Sequence, residues 1–180
     1  VYGVSPTTAA GAVTMVAAGY VLAAPMIGKL ADVMAARGMN LIAAQRRLLI
    51  ATTLLYVATW APIVLAPGFL PLGAMYALLF VMGISVSSAS LVFGIAKDLF
   101  PAKVSGLAIG LVNITSILGG AAMPPVVGWF IDRLTAAGIQ GGAVYSRAMI
   151  PCMAAAALGL ALISMVGRPS GRRARPGYPA

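Results

Sequence analysis

Residues 48–96 read LLIATTLLYVATWAPIVLAPGFLPLGAMYALLFVMGISVSSASLVFGIA and contain no charged side chain. As one helix this stretch would measure roughly 73 Å at 1.5 Å per residue. A hydrocarbon layer is only about 30 Å thick, so the stretch must cross it twice. The turn is predicted at residues 67–71, PGFLP, because proline removes a backbone donor and glycine accepts turn dihedrals.

The rest of the chain has the same character. Of its 180 residues 61% are hydrophobic and 8% are charged, against about 25% charged residues in a soluble domain. Only helices and closed barrels satisfy backbone groups in lipid, and these uncharged runs are far longer than barrel strands. We therefore predict an all-α, polytopic membrane bundle within residues 1–167, and a basic, disordered cytoplasmic tail at 168–180. Five crossings are expected, at about 8–28, 48–66, 71–95, 104–130 and 147–167.

The basic residues predict how the bundle is oriented. Of the twelve lysines and arginines, ten fall after the first and third crossings and in the tail, and only Arg133 and Arg147 fall on the other side. Basic loops stay in the cytoplasm, so a multi-pass inner (plasma) membrane protein is expected, with its N-terminus outside and its C-terminus inside. A nucleic-acid arm or a lipid-binding cluster is the alternative explanation of the arginine-rich tail, but topology alone accounts for it. No nucleic-acid partner is expected.

Residues that carry catalytic chemistry are sparse. The sequence has no histidine, a single cysteine, Cys152, and three acidic residues, none of them in the interior of a crossing. No nucleophile-base pair, phosphate loop or cysteine metal site can be assembled from these residues. We expect no enzyme activity, no cofactor and no metal site. Proton coupling and charged solutes usually require a charged group within the membrane, and that group is expected outside this chain.

The fourth crossing, GLAIGLVNITSILGGAAMPPVVGWFIDRL at 106–134, carries small and polar residues at helical spacing. Gly106, Gly110, Asn113 and Gly120 share one face. The glycines are expected to allow close helix packing, and Gly119 to Pro125 to bend the helix. A neutral amide within the bilayer is costly unless it is paired, so Asn113 either contacts another helix or contacts the solute.

Two motifs resemble signatures of the major facilitator superfamily. In PMIGKLADVMAARG, Gly28 and Asp32 belong to a G-x-L-a-D core like that of the family's cytoplasmic loop, although Val33 stands where the family has a basic residue. Residues 94–134 are similar to the family's passage from its tenth into its eleventh helix. The matching positions are Lys97, Asp98, Phe100, Pro101, Gly106, Ala108, Gly110, Asn113, Gly119, Gly120, Pro125, Gly128 and Asp132.

This resemblance maps the chain onto helices eight to twelve of a twelve-helix secondary transporter, so the fold expected is part of one six-helix half. It implies a small solute moved by alternating access, with the missing N-terminal half of the carrier and the lipid bilayer as partners. Similar carriers transport small organic metabolites, often anions. The rival is a small non-transporting membrane protein, an assembly subunit or anchor, that binds partner helices through its glycine-rich faces.

The resemblance also implies roles for particular residues. The family's tenth helix lines the central cavity, which makes Tyr76, Ser87 and Ser90 candidates for solute contact. The alternative is that the serines bond to carbonyls of their own helix four residues back. Tyr20 in the first crossing is a further candidate. Roles in the loop motif or in conformational change are implied for Gly28, Asp32, Gly106, Gly110, Gly120 and Pro125.

Overall fold

The computed structural model describes residues 3–66 and 68–165, and in these ranges it contains helices and no strand. Five helical spans are long and apolar enough to cross a membrane, since α3 with α4, and α6 with α7, each form one span. The prediction of an all-helical bundle with five such spans is confirmed. Pro67, the end of the fifth crossing and the tail lie outside the described residues. The helices are α1 (Pro6–Ala36), α2 (Leu41–Leu65), α3 (Leu72–Val86), α4 (Ala89–Leu99), α5 (Ala102–Ala136), α6 (Gly142–Ala148) and α7 (Ile150–Met165).

Several helices extend beyond the uncharged runs that predicted them. Helix α1 has 31 residues and α5 has 35, so each exceeds the roughly 20 residues needed to span hydrocarbon. Helix α2 begins at Leu41 rather than near residue 48, because the Asn40 side chain accepts a hydrogen bond from the amide of Ala43 at 3.3 Å. An asparagine in this position satisfies one of the free amides of a helix start. The basic residues of the first loop therefore lie partly on helix α2.

Glycine ends both long helices. Gly38 after α1 and Gly138 after α5 have φ of 93° and 80°, a left-handed conformation that side chains disfavour. The residue after each glycine bonds back across the last turn, Met39 to the Met34 carbonyl and Ile139 to the Leu134 carbonyl. These bonds satisfy carbonyls that the helix end would leave free.

Helices α1 and α3 make the closest crossing in the bundle. A Cβ atom built on Gly19 would overlap the carbonyl oxygen of Phe80, and one built on Gly83 would overlap the carbonyl oxygen of Val16. Close approach of backbones through small residues is how helices associate in lipid, where the hydrophobic effect does not drive them together. Gly19 and Gly83 thus position α3 against α1.

Helix α2 occupies the centre of the bundle and α5 lies at its edge. The packing neighbours of α2 include α1, α3, α4, α6 and α7, whereas α5 packs mainly against α4 and α6. A small core joins Ile27 and Ala31 of α1 to Leu91 of α4, with Leu41 and Leu48 of α2 packed against it. No residue of α5 is buried.

Two side chains near the start of α2 connect it to the ends of other spans. The Gln45 amide nitrogen donates to Asp98 near the end of α4 at 3.3 Å. The Arg46 guanidinium donates to the carbonyls of Ile163 and Ser164, near the end of α7, at 3.3 and 3.0 Å. The start of α2 and the ends of the third and fifth spans therefore lie at one side of the bundle, as alternating crossings require.

Candidate functional site

The third span is interrupted near its middle by a turn at Ser87 and Ser88. The amides of Ser90 and Leu91 bond to the carbonyls of Ser87 and Ser88, three residues back, at 3.2 and 2.9 Å. The hydroxyls of Ser87, Ser88 and Ser90 also donate to carbonyls three residues back, at 2.6, 3.0 and 2.8 Å. Such tight turns and hydroxyl-to-carbonyl bonds interrupt the regular helical ladder. The serines are bonded to their own backbone, three residues back rather than the expected four.

Of the candidates on this span, Ser87 is the most enclosed. Its side chain is 0% exposed, and its hydroxyl proton is used by the carbonyl of Ile84. Ser90 is half-buried. A hydroxyl that donates one bond keeps lone pairs that can accept another, so the partly exposed Ser90 can still bind a donor group, whereas the enclosed Ser87 is out of reach of a solute in this arrangement. Their contact with a solute stays a prediction.

Tyr76 contacts another helix. Its hydroxyl donates to the carbonyl of Thr8 on α1 at 2.9 Å. This bond lies on the same α1–α3 interface as Gly19 and Gly83 and gives Tyr76 a packing role in addition to the role predicted for it. Tyr20, next to Gly19 on α1, is 39% exposed.

Asn113 lies on the exposed surface of α5. Among the described residues its amide has no hydrogen-bond partner, and no such bond joins it to Tyr76, Ser87 or Ser90. The polar neighbours of Asn113 are satisfied within their own helix, since the hydroxyls of Thr115 and Ser116 each donate to carbonyls four residues back at 2.9 Å. Asn113 is therefore the unpaired polar group on this face.

The glycines of α5 also face open space. A Cβ atom added to any of them would meet no atom within 4 Å outside the helix itself. The close packing predicted for these glycines has no partner within the described part of the chain. Helix α5 runs as one helix through Pro124 and Pro125, both of which are exposed. The glycines concerned are Gly106, Gly110, Gly119, Gly120 and Gly128.

The first motif lies on helix α1 and not in a loop. Gly28 and Asp32 fall within Pro6–Ala36, and the Asp32 side chain is exposed. Helix α1 continues past them because the next residue that ends a helix is Gly38. The loop expected at this motif begins only after Ala36.

A groove of about 310 Å³ lies between α2 and the interrupted third span. Thr53 and Tyr56 line it from α2, and Ser85 and Ser88 line it from the other side. The hydroxyls of Thr53, Ser85 and Ser88 donate to carbonyls of their own helices, so only their lone pairs remain to accept further hydrogen bonds. The groove is mainly apolar, since Leu49, Val86, Ala89 and Val92 also line it and Ser85 and Ser88 are buried. No metal-binding group of three or more His, Cys, Asp or Glu occurs in the described ranges.

Gln45 and Arg46 are the residues that sequence reasoning missed. Both precede the uncharged run that begins at Leu48 and therefore lie outside the crossing predicted at 48–66. The signal that locates them on a helix is Asn40 followed by LIAA, an N-cap residue before an apolar run. Gly19 and Gly83 were missed as a pair, since a single sequence does not show which glycines face one another.

No protein-family model, curated protein or solved structure matches this chain.

Proposed function

We propose that this chain is the C-terminal part of a membrane secondary transporter of the major facilitator superfamily type, which moves a small solute by alternating access. Support comes from the ordered motif residues at 28–32 and 97–132 and from five spans that can cross a membrane. The proposal places the rest of the carrier against helix α5. It also places the protein in the inner (plasma) membrane, with the start of α2 on the cytoplasmic side.

The observation that carries the proposal is the open face of α5. This span has no buried residue, and Asn113 on it has no hydrogen-bond partner in the described part of the chain. An unpaired amide in hydrocarbon costs several kcal/mol, of the order of 2 to 7. Such a residue is expected to face either a further helix or a water-filled path. A second bundle half would supply both.

The interrupted third span gives independent support. Secondary transporters commonly bind their solute near the bilayer midplane, where a discontinuous helix exposes backbone groups. Here the break at Ser87 and Ser88 falls near the middle of the span Leu72–Leu99. The half-buried Ser90 hydroxyl, whose proton is bonded to the Ser87 carbonyl, would accept from a hydroxyl or amine group of a small organic solute. Any charge needed to pair with an ionic solute would come from the remainder of the carrier.

The open glycine face also supports a second candidate function. A small membrane protein that assembles with other membrane proteins would present such a face to a partner helix, and Gly106 and Gly110 form a G-x-x-x-G pair. In that case Gly106→Leu should abolish co-purification of the partner. In the transporter it should instead lower the amount of folded carrier.

The test of the transporter proposal is Asn113→Leu in the complete gene product. If the amide lines the solute path, uptake per folded molecule should be abolished or strongly reduced while membrane insertion stays normal, since leucine is favoured in lipid. If the amide only joins helices, the change removes about 0.6 kcal/mol, and uptake falls only as far as folded protein falls. Normal uptake per folded molecule would exclude Asn113 from the path.

Two control variants accompany this test. Thr115→Val removes a hydroxyl that is already bonded to the carbonyl of Leu111, so uptake should be unchanged. Gly110→Leu adds a bulky side chain to the open face and should reduce the amount of folded protein instead of the uptake of each folded molecule.

A further inference from the structure

We propose that the groove between α4 and α5 binds one anionic phospholipid, with an acyl chain in the groove and the lipid phosphate held by Lys97 and Lys103. The groove contains none of the residues assigned to the solute, and the inference holds whichever of the two functions above is correct. Only the choice of membrane leaflet rests on the proposed orientation.

The groove is a cavity of about 350 Å³ where the end of α4 meets the start of α5. Small side chains form its floor, since Ala96 is buried and Ala108 is half-buried. Bulky side chains form its walls, and Phe100, Leu107 and Leu111 remain 51, 68 and 58% exposed. Every residue that lines the groove is apolar. Its occupant must therefore be apolar as well, because a polar group would lose its hydrogen bonds there.

The length of the groove matches part of one acyl chain. On α5 the groove extends from Val104 to Val112, which is about 12 Å of helix at 1.5 Å per residue. One leaflet of the hydrocarbon layer is about 15 Å thick, half of about 30 Å. A chain that enters beside Val104 therefore contacts protein over most of one leaflet.

Two lysines flank the end of the groove that lies at the junction of the helices. Lys97 directly follows a groove residue of α4, and Lys103 directly precedes a groove residue of α5. Both lysines are exposed, and neither forms an ion pair within the described ranges. The neighbouring carboxylate, Asp98, accepts a hydrogen bond from Gln45 of α2. The two ammonium groups can therefore bind a phosphate.

The combination of charge and groove indicates what the occupant is. Topology explains why basic residues collect on this side of the bundle, but not why an apolar groove opens beside them. Asp98 bonds to the start of α2, so this end of the groove lies on the side that the proposed orientation places in the cytoplasm. The cytoplasmic leaflet carries anionic lipids, which lysines near its surface attract. A positive entrance and an apolar groove together fit a lipid with a negative headgroup.

A partner helix suits another face of α5. Helices in lipid pack through small residues, and on α5 Gly106 and Gly110 share one face with Asn113. At about 100° per residue, the α5 residues that line the groove are centred about 160° around the helix from that face. Helix α5 thus has a glycine face that suits a helix and a groove that suits an acyl chain. A lipid in the groove leaves the glycine face open to a partner.

The bound lipid joins α4 to α5. Helix α5 has no buried residue and packs mainly against α4 and α6, so few contacts hold it. A phosphate that bonds to one lysine of each helix, above a chain that contacts both helices, adds contacts at their junction. A ligand that binds only the folded protein stabilises it, and the lipid therefore stabilises the packing of α5.

The test is native mass spectrometry of the full chain in an uncharged detergent, titrated with dioleoyl phosphatidylglycerol or dioleoyl phosphatidylcholine. A lysine near a lipid surface contributes about a fivefold change in affinity, so phosphatidylglycerol should bind about 25-fold more tightly than phosphatidylcholine. Lys103→Gln should weaken phosphatidylglycerol binding about fivefold, and Lys97→Gln with Lys103→Gln about 25-fold. Lys29→Gln removes the same charge from an exposed position on α1 and should leave binding unchanged.

A second set of measurements tests the acyl chain separately from the phosphate. Ala108→Trp fills the groove and should weaken the binding of both lipids. Ala121→Trp adds the same side chain at an exposed position of α5 beyond the groove and should have no effect. A large excess of glycerol 3-phosphate should not displace phosphatidylglycerol, because it has the charge of the headgroup and no chain.

The proposal is refuted if Lys97→Gln with Lys103→Gln binds phosphatidylglycerol as tightly as Lys29→Gln does, or if the two lipids bind equally. Displacement by glycerol 3-phosphate would show an anion site without a chain and would also overturn it. Unchanged lipid binding by Ala108→Trp would exclude the chain from the groove. Both lysines are exposed, so their variants decide the outcome even if Ala108→Trp does not fold.

Discussion

Gly83→Ala is the most informative single change at the crossing of α1 and α3. The added Cβ atom would overlap the carbonyl oxygen of Val16 and lie 2.9 and 3.0 Å from the carbonyl carbon and Cα atom of the same residue. These are backbone atoms, so no side chain can rotate away to make room. The two helices must move apart, and the close contact over Gly19 and the Tyr76 hydrogen bond weaken with it.

The size of the effect follows from the cost of overpacking. Inserting a methyl group into a tightly packed site destabilises proteins by about 1 to 3 kcal/mol. That cost corresponds to a change of about 5- to 140-fold in the unfolding equilibrium constant. Gly73→Ala is the matched control on the same helix, because a Cβ atom there meets nothing within 4 Å. Alanine favours a helix by up to about 1 kcal/mol over glycine, so this control should be neutral or stabilising.

The assay is reversible unfolding in mixed micelles with increasing denaturing detergent, followed by circular dichroism and by tryptophan fluorescence. Gly83→Ala should unfold at a lower detergent fraction than the unmodified chain, and Gly73→Ala at the same or a higher fraction. If the free energy of unfolding of Gly83→Ala lies within about 0.5 kcal/mol of that of the unmodified chain and of Gly73→Ala, the backbone contact at Gly83 does not stabilise the bundle. A full overlap with backbone atoms should lower the free energy of unfolding by more than that.

Two further predictions use the same unfolding assay, and a third uses cysteine labelling in intact cells. Tyr76→Phe should lower the free energy of unfolding by about 0.6 kcal/mol, the average for hydrogen bonds between membrane helices, and an unchanged value would show that its bond to α1 contributes nothing. Arg46→Met should lower the free energy of unfolding by about 1.5 to 3 kcal/mol, because a charged donor to the end of α7 is lost. The same change at exposed Arg47 should lower it little, and equal losses would contradict the anchoring role of Arg46. A cysteine at Ala102 should be labelled only from the cytoplasm and one at Gln140 only from outside, and the reverse pattern would overturn the orientation.

The uncharged runs were sufficient to predict the five spans, because lipid leaves the backbone few alternatives to the helix. They did not predict where the helices end, since a helix continues through polar sequence until a glycine such as Gly38 ends it. Asn40 shows the same effect at the start of α2. Hydropathy indicates which residues tolerate lipid, whereas the first and last residues of a helix depend on its capping residues.

The site residues were less predictable than the spans. Ser87 and Ser90 fit a regular helical stripe, and nothing in their spacing indicates that the helix breaks between them. The contact of Gly19 with Gly83 depends on which helices are neighbours, and one sequence does not contain that information. The glycines of α5 show the converse, because a pattern typical of close packing faces open space in the described bundle.

Transport itself is tested most directly by solute counterflow in liposomes that contain the complete product of the gene encoding this chain. We predict saturable exchange of a labelled small organic solute for the same unlabelled solute trapped inside. We also predict that the coding region upstream of Val1 specifies seven further apolar segments. A start codon close to Val1, together with no exchange of sugars, amino acids or organic acids, would contradict the transporter proposal and favour an assembly partner bound through α5.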